Sequence, residues 1–303
     1  MRERFRKSTR GRHGRRAAVA WTAALLLPLG ALAGCDSGPS DGAKHTSAAP
    51  RPKPKPTPVW DRSPTSVAAV GDSITRGFDA CTVLSDCPEV SWSTGTDTDV
   101  RSLAERLGAR GSWNFAKSGA RMEDLPDQVG QAVRKKPELI TVLAGSNDAC
   151  RDSASYMTPV AEFRASFETA MREVRRELPK TQVYVASLPD LKRLWSEGRG
   201  NPLGKQIWKL GICASMLGDA DAMDAGAVQR RAEVQDRVVA YNTVLRDVCA
   251  KDKRCRYDGG AVFGFRFSGD QLSHWDWFHP SKNGQGRLAE IAYRNVTAAE
   301  PPA

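Results

Sequence analysis

Apolar and polar positions along this chain fall into two alternating periods, and their order predicts strands alternating with helices. A continuous apolar run, Val67-Ala68-Ala69-Val70, reads as a buried parallel strand and stops abruptly at Gly71-Asp72-Ser73. A long polar loop follows, holding Cys81, Cys87 and Ser91-Trp92-Ser93-Thr94-Gly95. Asp97 or Asp99 then offers a cap for a helix through Val100, Leu103 and Leu107. Residues 113–116 make a short second strand leading into Lys117-Ser118-Gly119-Ala120. A helix over 125–133 precedes a third strand at 139–144, which ends in Gly145-Ser146-Asn147-Asp148. Thr158-Pro159 starts the next helix, with Val160, Phe163, Phe167, Ala170, Met171, Val174 and Leu178 at helical spacing. A fourth strand occupies 183–186. Residues 191–225 show no clean period and read as an insertion over one face. Val234, Val238, Tyr241, Leu245 and Val248 mark a long amphipathic helix, a last strand lies near 255–262, and Leu288, Ile291 and Ala292 belong to a final helix. There are no internal repeats. The alternation implies one α/β domain over 61–297, a mostly parallel sheet with helices on both faces, and a tail at 298–303.

Composition changes the picture at the amino-terminal end. The formal charge of +10 on 303 residues invites a nucleic-acid partner, but the charge is not spread along the chain. Residues 1–34 hold eight Lys and Arg against one Glu, whereas residues 61–303 hold 33 basic and 32 acidic side chains. Without a basic domain, a nucleic-acid partner loses its main support. A basic stretch, an apolar stretch at 17–33 and small residues before a cleavage point make residues 1–34 an export signal. Leu32-Ala33-Gly34-Cys35 is similar to the bacterial lipobox, which implies lipidation of Cys35 and a membrane anchor at the cell surface. Arg15-Arg16 leaves a twin-Arg export route open beside the general one. Residues 35–60, ending in alternating prolines, favour extended polyproline II and read as a stalk.

Seven cysteines fit export. Setting Cys35 aside leaves Cys81, Cys87, Cys150, Cys213, Cys249 and Cys255, an even number that suggests disulfides in an oxidising compartment. Six cysteines allow fifteen pairings; the expected one is Cys81–Cys87, Cys150–Cys213 and Cys249–Cys255. No Cys-x-x-Cys occurs and no His is suitably spaced, so zinc is not expected, nor is any other metal or cofactor.

The chemistry lies at the loop ends. A Ser hydroxyl needs a base to take its proton, and His is the usual base near neutrality. Of four histidines, His13 lies in the leader and His45 in the stalk, leaving His274 and His279. Asp276 precedes His279 by three residues, a spacing that lets one turn bring carboxylate to imidazole. His274 has no comparable partner. Asn147 offers a side-chain amide, and Gly119 and Ser73 offer backbone N–H groups, to an oxyanion. Gly71-Asp72-Ser73-Ile74, Gly119, Gly145-Ser146-Asn147-Asp148 and Asp276-Trp277-Phe278-His279 together resemble the four blocks of the GDSL, or SGNH, hydrolase superfamily. The resemblance implies a flavodoxin-like three-layer α/β/α sandwich, a Ser73–His279–Asp276 triad and an oxyanion hole of Ser73, Gly119 and Asn147. The stretch at 91–95 and the Cys shortly after Asn147-Asp148 resemble bacterial lipase-like and phospholipase B-like members.

The expectation is a secreted, lipid-anchored, monomeric serine esterase acting on a small-molecule or lipid ester. An O-acetyl esterase or acyltransferase on cell-surface glycans is the rival enzyme. A non-catalytic binding lipoprotein on the same fold is the rival class. Trp92, Trp275, Trp277 and Phe278 could line an acyl pocket or stack on sugars.

Overall fold

Val67 to Val70 have no solvent exposure, because they form the middle of a parallel sheet covered on both faces. The computed structural model describes residues 59–302; the leader, Cys35 and the stalk up to residue 58 lie outside the described residues. In chain order the elements are β1 (Ser66–Gly71), α1 (Leu103–Arg106), β2 (Gly111–Asn114), α2 (Leu125–Val133), β3 (Leu139–Leu143), α3 (Ser146–Ala149), α4 (Val160–Glu177) and β4 (Gln182–Val185). They continue with α5 (Leu191–Gly198), α6 (Pro202–Trp208), α7 (Ala214–Leu217), α8 (Ala225–Cys249), β5 (Cys255–Tyr257), α9 (Ala261–Gly264) and α10 (Lys282–Thr297).

The strands pair in the order β2-β1-β3-β4-β5, every pair parallel. Right-handed crossovers then dictate the layers. The step from β1 to β2 runs one way along the sheet and every later step runs the other. Helix α1 therefore lies on one face with α10, and α2, α4 and α8 pack side by side on the opposite face. This is the three-layer flavodoxin-like arrangement expected from the sequence. The direction of winding reverses between β1 and β3, and ligands of such sheets bind at the carboxyl ends of the strands flanking that point. Phe163, Phe167, Ala170, Met171 and Val174 of α4 all face the core, as their spacing predicts. Each Phe buried there contributes on the order of 2–3 kcal/mol.

Several expectations shift. The helix after residue 97 is a single turn capped by Ser102, not Asp97 or Asp99, because Arg101 adopts φ +50° and breaks the path. Strand β2 sits two residues earlier than its apolar pattern suggested, being a half-exposed edge strand with little pattern to read. Strand β5 is cut to three residues by Gly259 and Gly260, both at positive φ. The aperiodic insertion is helical: α5, α6 and α7 are each too short to establish a period. Trp92 is a core residue, 1% exposed, with its Nε1–H donating to Thr75 Oγ1 at 3.2 Å. Disulfides join Cys81 to Cys87, Cys150 to Cys213 and Cys249 to Cys255. The second ties the insertion to the segment just after α3. Trp60 docks on the domain, donating from Nε1 to the Val296 carbonyl at 2.9 Å. Among the described residues no helix is long and apolar enough to cross a membrane.

Candidate active site

Strand β1 delivers Ser73 through a turn that only glycine can start. Gly71 has φ +150°, and a Cβ there would collide with the Leu143 carbonyl. Gln128 on α2 holds the turn from the side: its Oε1 accepts the Gly71 N–H at 2.7 Å and its Nε2 donates to the Gly71 carbonyl at 3.0 Å. Asp72 points inward and accepts the Ile74 N–H at 3.0 Å; burial pushes its carboxyl up to about 7. The Ser73 Oγ is left facing the carboxyl ends of β1 and β3.

There it meets His279. Ser73 Oγ lies 2.9 Å from His279 Nε2, and His279 Nδ1 lies 2.5 Å from Asp276 Oδ2. Asp276 is fully buried, and its other oxygen accepts the N–H groups of Phe278 at 2.9 Å and His279 at 3.0 Å. Those two bonds make the carboxylate the hub of its own turn, so the i, i+3 spacing is fixed by backbone as well as by the imidazole. Burial alone would push Asp276 up, but the facing imidazole charge and the donated hydrogen bonds hold it below the usual carboxylate range. Burial likewise disfavours charge on His279, and Asp276 overrides it, holding the imidazole above its ordinary value. His274 is exposed, its ring against Trp275.

Asn147 is the second residue of α3, which follows the end of β3, the strand next to the one that delivers Ser73. One of its amide hydrogens reaches the Ala120 carbonyl at 2.9 Å, and a primary amide carries a second donor. Gly119 has φ +81° with open space around its α-carbon. Ser73, Gly119, Asn147 and His279 line one cavity of about 300 Å³. Its remaining wall is largely apolar, including Leu191, Leu194, Ile212, Val262, Phe267 and Leu288. Of the four aromatics singled out in the sequence, Phe278 lines this cavity. Trp277 instead packs against Gly204 of the insertion.

Three residues not among the expected site groups support this site. Trp208 of α6 donates to the Asp276 carbonyl at 2.6 Å, bracing the acid's turn from the insertion. Gln285 of α10 bridges the Trp92 N–H and the Ile74 carbonyl. Asp79, in the polar loop, has an oxygen within 4.8 Å of both Asp276 and His279. Gln128 and Gln285 carried a visible signal, each a polar residue on the apolar stripe of its helix, whereas Trp208 and Asp79 carried none. Two clusters among the described residues have ion-ligand spacing. One is Cys81, Cys87 and Glu89, whose thiols are joined; the other is Asp79, Asp276 and His279, whose Nδ1 is taken by Asp276.

The profile of the GDSL-like lipase/acylhydrolase family matches residues 67–292, and the chain belongs to this family of ester-hydrolysing enzymes. No curated protein matches it significantly. Among solved structures it is similar to an acetylxylan esterase of Geobacillus stearothermophilus (16% identity, 77% of this chain and 94% of that one, TM-score 0.49). It is also similar to an extracellular lipase of Streptomyces rimosus (19%, 77% and 100%, TM-score 0.44). A family 3 carbohydrate esterase of Clostridium thermocellum is a third (13%, 76% and 94%, TM-score 0.45). Likeness at that level says nothing about substrate.

Proposed function

We propose that this chain is a serine esterase that cleaves carboxylic esters of apolar acyl groups through an acyl-Ser73 intermediate. The observation behind the reading is the Ser73–His279–Asp276 hydrogen-bond chain opening into an apolar cavity beside Gly119 and Asn147. His279 Nε2 takes the Ser73 proton as Oγ bonds to the ester carbonyl carbon. The carbonyl oxygen becomes an oxyanion facing the N–H groups of Ser73 and Gly119 and the Asn147 amide. His279, now an imidazolium paired with Asp276, returns the proton to the departing alcohol oxygen as the ester bond breaks. Water then repeats the cycle on the acyl-enzyme, releasing the acid.

The apolar wall favours a hydrocarbon acyl chain over the acetyl group of a decorated glycan. Each methylene buried in it is worth up to about 0.8 kcal/mol, roughly fourfold in kcat/KM, until the cavity is full. In a p-nitrophenyl series from acetate to palmitate, kcat/KM should climb beyond acetate, reach a maximum and fall. Preference for acetate over every longer chain would overturn the apolar-acyl reading in favour of a deacetylase. Absence of turnover on all of them would leave a binding protein.

The same proposal places the enzyme outside the bacterial cell as a monomer, tethered through lipid on Cys35 and held off the membrane by the stalk. The lipobox-like Leu32-Ala33-Gly34-Cys35 and the exported cysteine pattern support this location. Cys35→Ser should move the protein from the detergent phase to the aqueous phase, or leave a larger precursor. Unchanged partitioning of a fully processed protein would remove the anchor.

A further inference from the structure

Asp79 enters the site from a loop that nothing in its sequence marks as functional. It sits at φ +57°, buried, with its N–H donating to the Ser85 carbonyl at 3.0 Å and one carboxylate oxygen accepting the Leu84 N–H. Its backbone is fastened to the loop that carries the acid and base. The Ser273 hydroxyl donates to the Asp79 carbonyl at 2.6 Å, and the Ser273 N–H donates to the His279 carbonyl at 2.7 Å. The second carboxylate oxygen, Oδ2, is buried with no hydrogen-bond partner among the described residues. Asp79 nevertheless brings an oxygen within 4.8 Å of both Asp276 and a ring nitrogen of His279.

A buried carboxylate oxygen without a donor is costly. Two carboxylates side by side both accept, so only a proton on one of them, or a cation beside both, satisfies the pair. The imidazolium of His279 is such a cation, and it forms in each half of the proposed reaction. We propose that Asp79 is a positioning residue of the Ser73–His279–Asp276 chain, a second carboxylate that shares the imidazolium charge of His279 with Asp276. This inference rests on the serine-esterase reading of the same site.

The surrounding charges are consistent with it. Burial and the adjacent Asp276 push Asp79 up to about 6. On His279, Asp276, Asp79 and Asp72 all favour the charged form against its burial. In the Asp79 loop Arg76 is engaged by Asp86 at 3.1 Å, and on the facing loop His274 is exposed. Once ionised, Asp79 adds a charge that delays loss of the His279 proton as pH rises. Removing that charge makes the imidazole easier to deprotonate. It also deprives the imidazolium of one of its counter-charges during reaction.

The test is Asp79→Asn in the full chain, read by the His279 ring signal in a proton NMR titration, which is assigned by its absence from His279→Gln. The midpoint should move to lower pH, and the acid limb of the kcat/KM profile should move with it. The plateau kcat should fall about tenfold, the scale of one nearby charge, with KM unchanged because Asp79 is not in the cavity wall. Asp79→Ser, whose hydroxyl can still accept the Leu84 N–H, should shift the midpoint the same way and covers failure of the Asn variant to fold. A midpoint and acid limb that stay put in both Asp79 variants would overturn the proposal and leave Asp79 a loop residue. The NMR reading needs no turnover, so an inactive wild type with a shifted midpoint would sink the esterase reading alone.

Discussion

Ser73→Ala should abolish labelling by an organophosphonate and lower kcat for ester turnover by about 10⁴–10⁶, while leaving the circular dichroism spectrum unchanged. The size follows from the geometry. Ser73 Oγ is the hydroxyl 2.9 Å from the buried imidazole, and alanine leaves the Gly71 turn, the Gln128 clamp and the donor amides intact. What remains is the catalysis that a donor-lined cavity supplies without a nucleophile. His279→Ala should cost a similar factor, and combining the two should cost little more, because members of such a unit fail together. His274→Ala should change little, since the ring is exposed, lies against Trp275 and meets no carboxylate among the described residues. If His279→Ala stays active while His274→Ala dies, the base has been misassigned. A Ser73→Ala protein that still takes up the phosphonate with one-to-one stoichiometry places the nucleophile elsewhere.

Much of this site is legible in the sequence for local reasons. Residues 67–70 form a continuous apolar run and residues 139–144 an apolar run broken only by Thr141, each followed by glycine, and such runs occur where a strand is buried on both faces. Their ends carry Ser73 and Asn147, so locating the two strands locates the two residues. Asp276 and His279 are three apart on one turn, so their meeting too is a local event. The helices over 125–133 and 160–177 are readable because one face of each is buried along its whole length. The edge strand β2 and the single-turn helices lack such a face, and their bounds shifted.

The parts that sequence leaves dark depend on contacts between distant segments. Asp79 lies 197 positions before Asp276, and Trp208 lies 68 before it. Neither spacing carries a period, and each residue type is unremarkable in a polar loop or a short helix. Trp92 shows the opposite failure: an aromatic next to polar residues resembled a binding group, and packing edge-on against Tyr184 of β4 with its Nε1–H on Thr75 made it core. Local patterns thus reveal the groups proposed to react, while the groups packed around them come from tertiary packing.

Asp276→Asn isolates a tuning effect at the centre of the site. Asp276 Oδ1 accepts the Phe278 and His279 N–H groups, and an amide oxygen in the same place can keep both bonds. The turn and the fold should therefore survive. The other position changes sign, since an amide nitrogen donates where Oδ2 accepted from His279 Nδ1. The imidazole is then driven to the tautomer with its hydrogen on Nε2, which cannot accept the Ser73 proton. The expected loss in kcat is about 10⁴ near neutral pH, with KM nearly unchanged. Loss of the far-downfield Nδ1 proton resonance should accompany it, with thermal stability close to wild type. An Asp276→Asn enzyme within tenfold of wild type would remove Asp276 from the reacting unit and leave Asp79 as the carboxylate nearest His279.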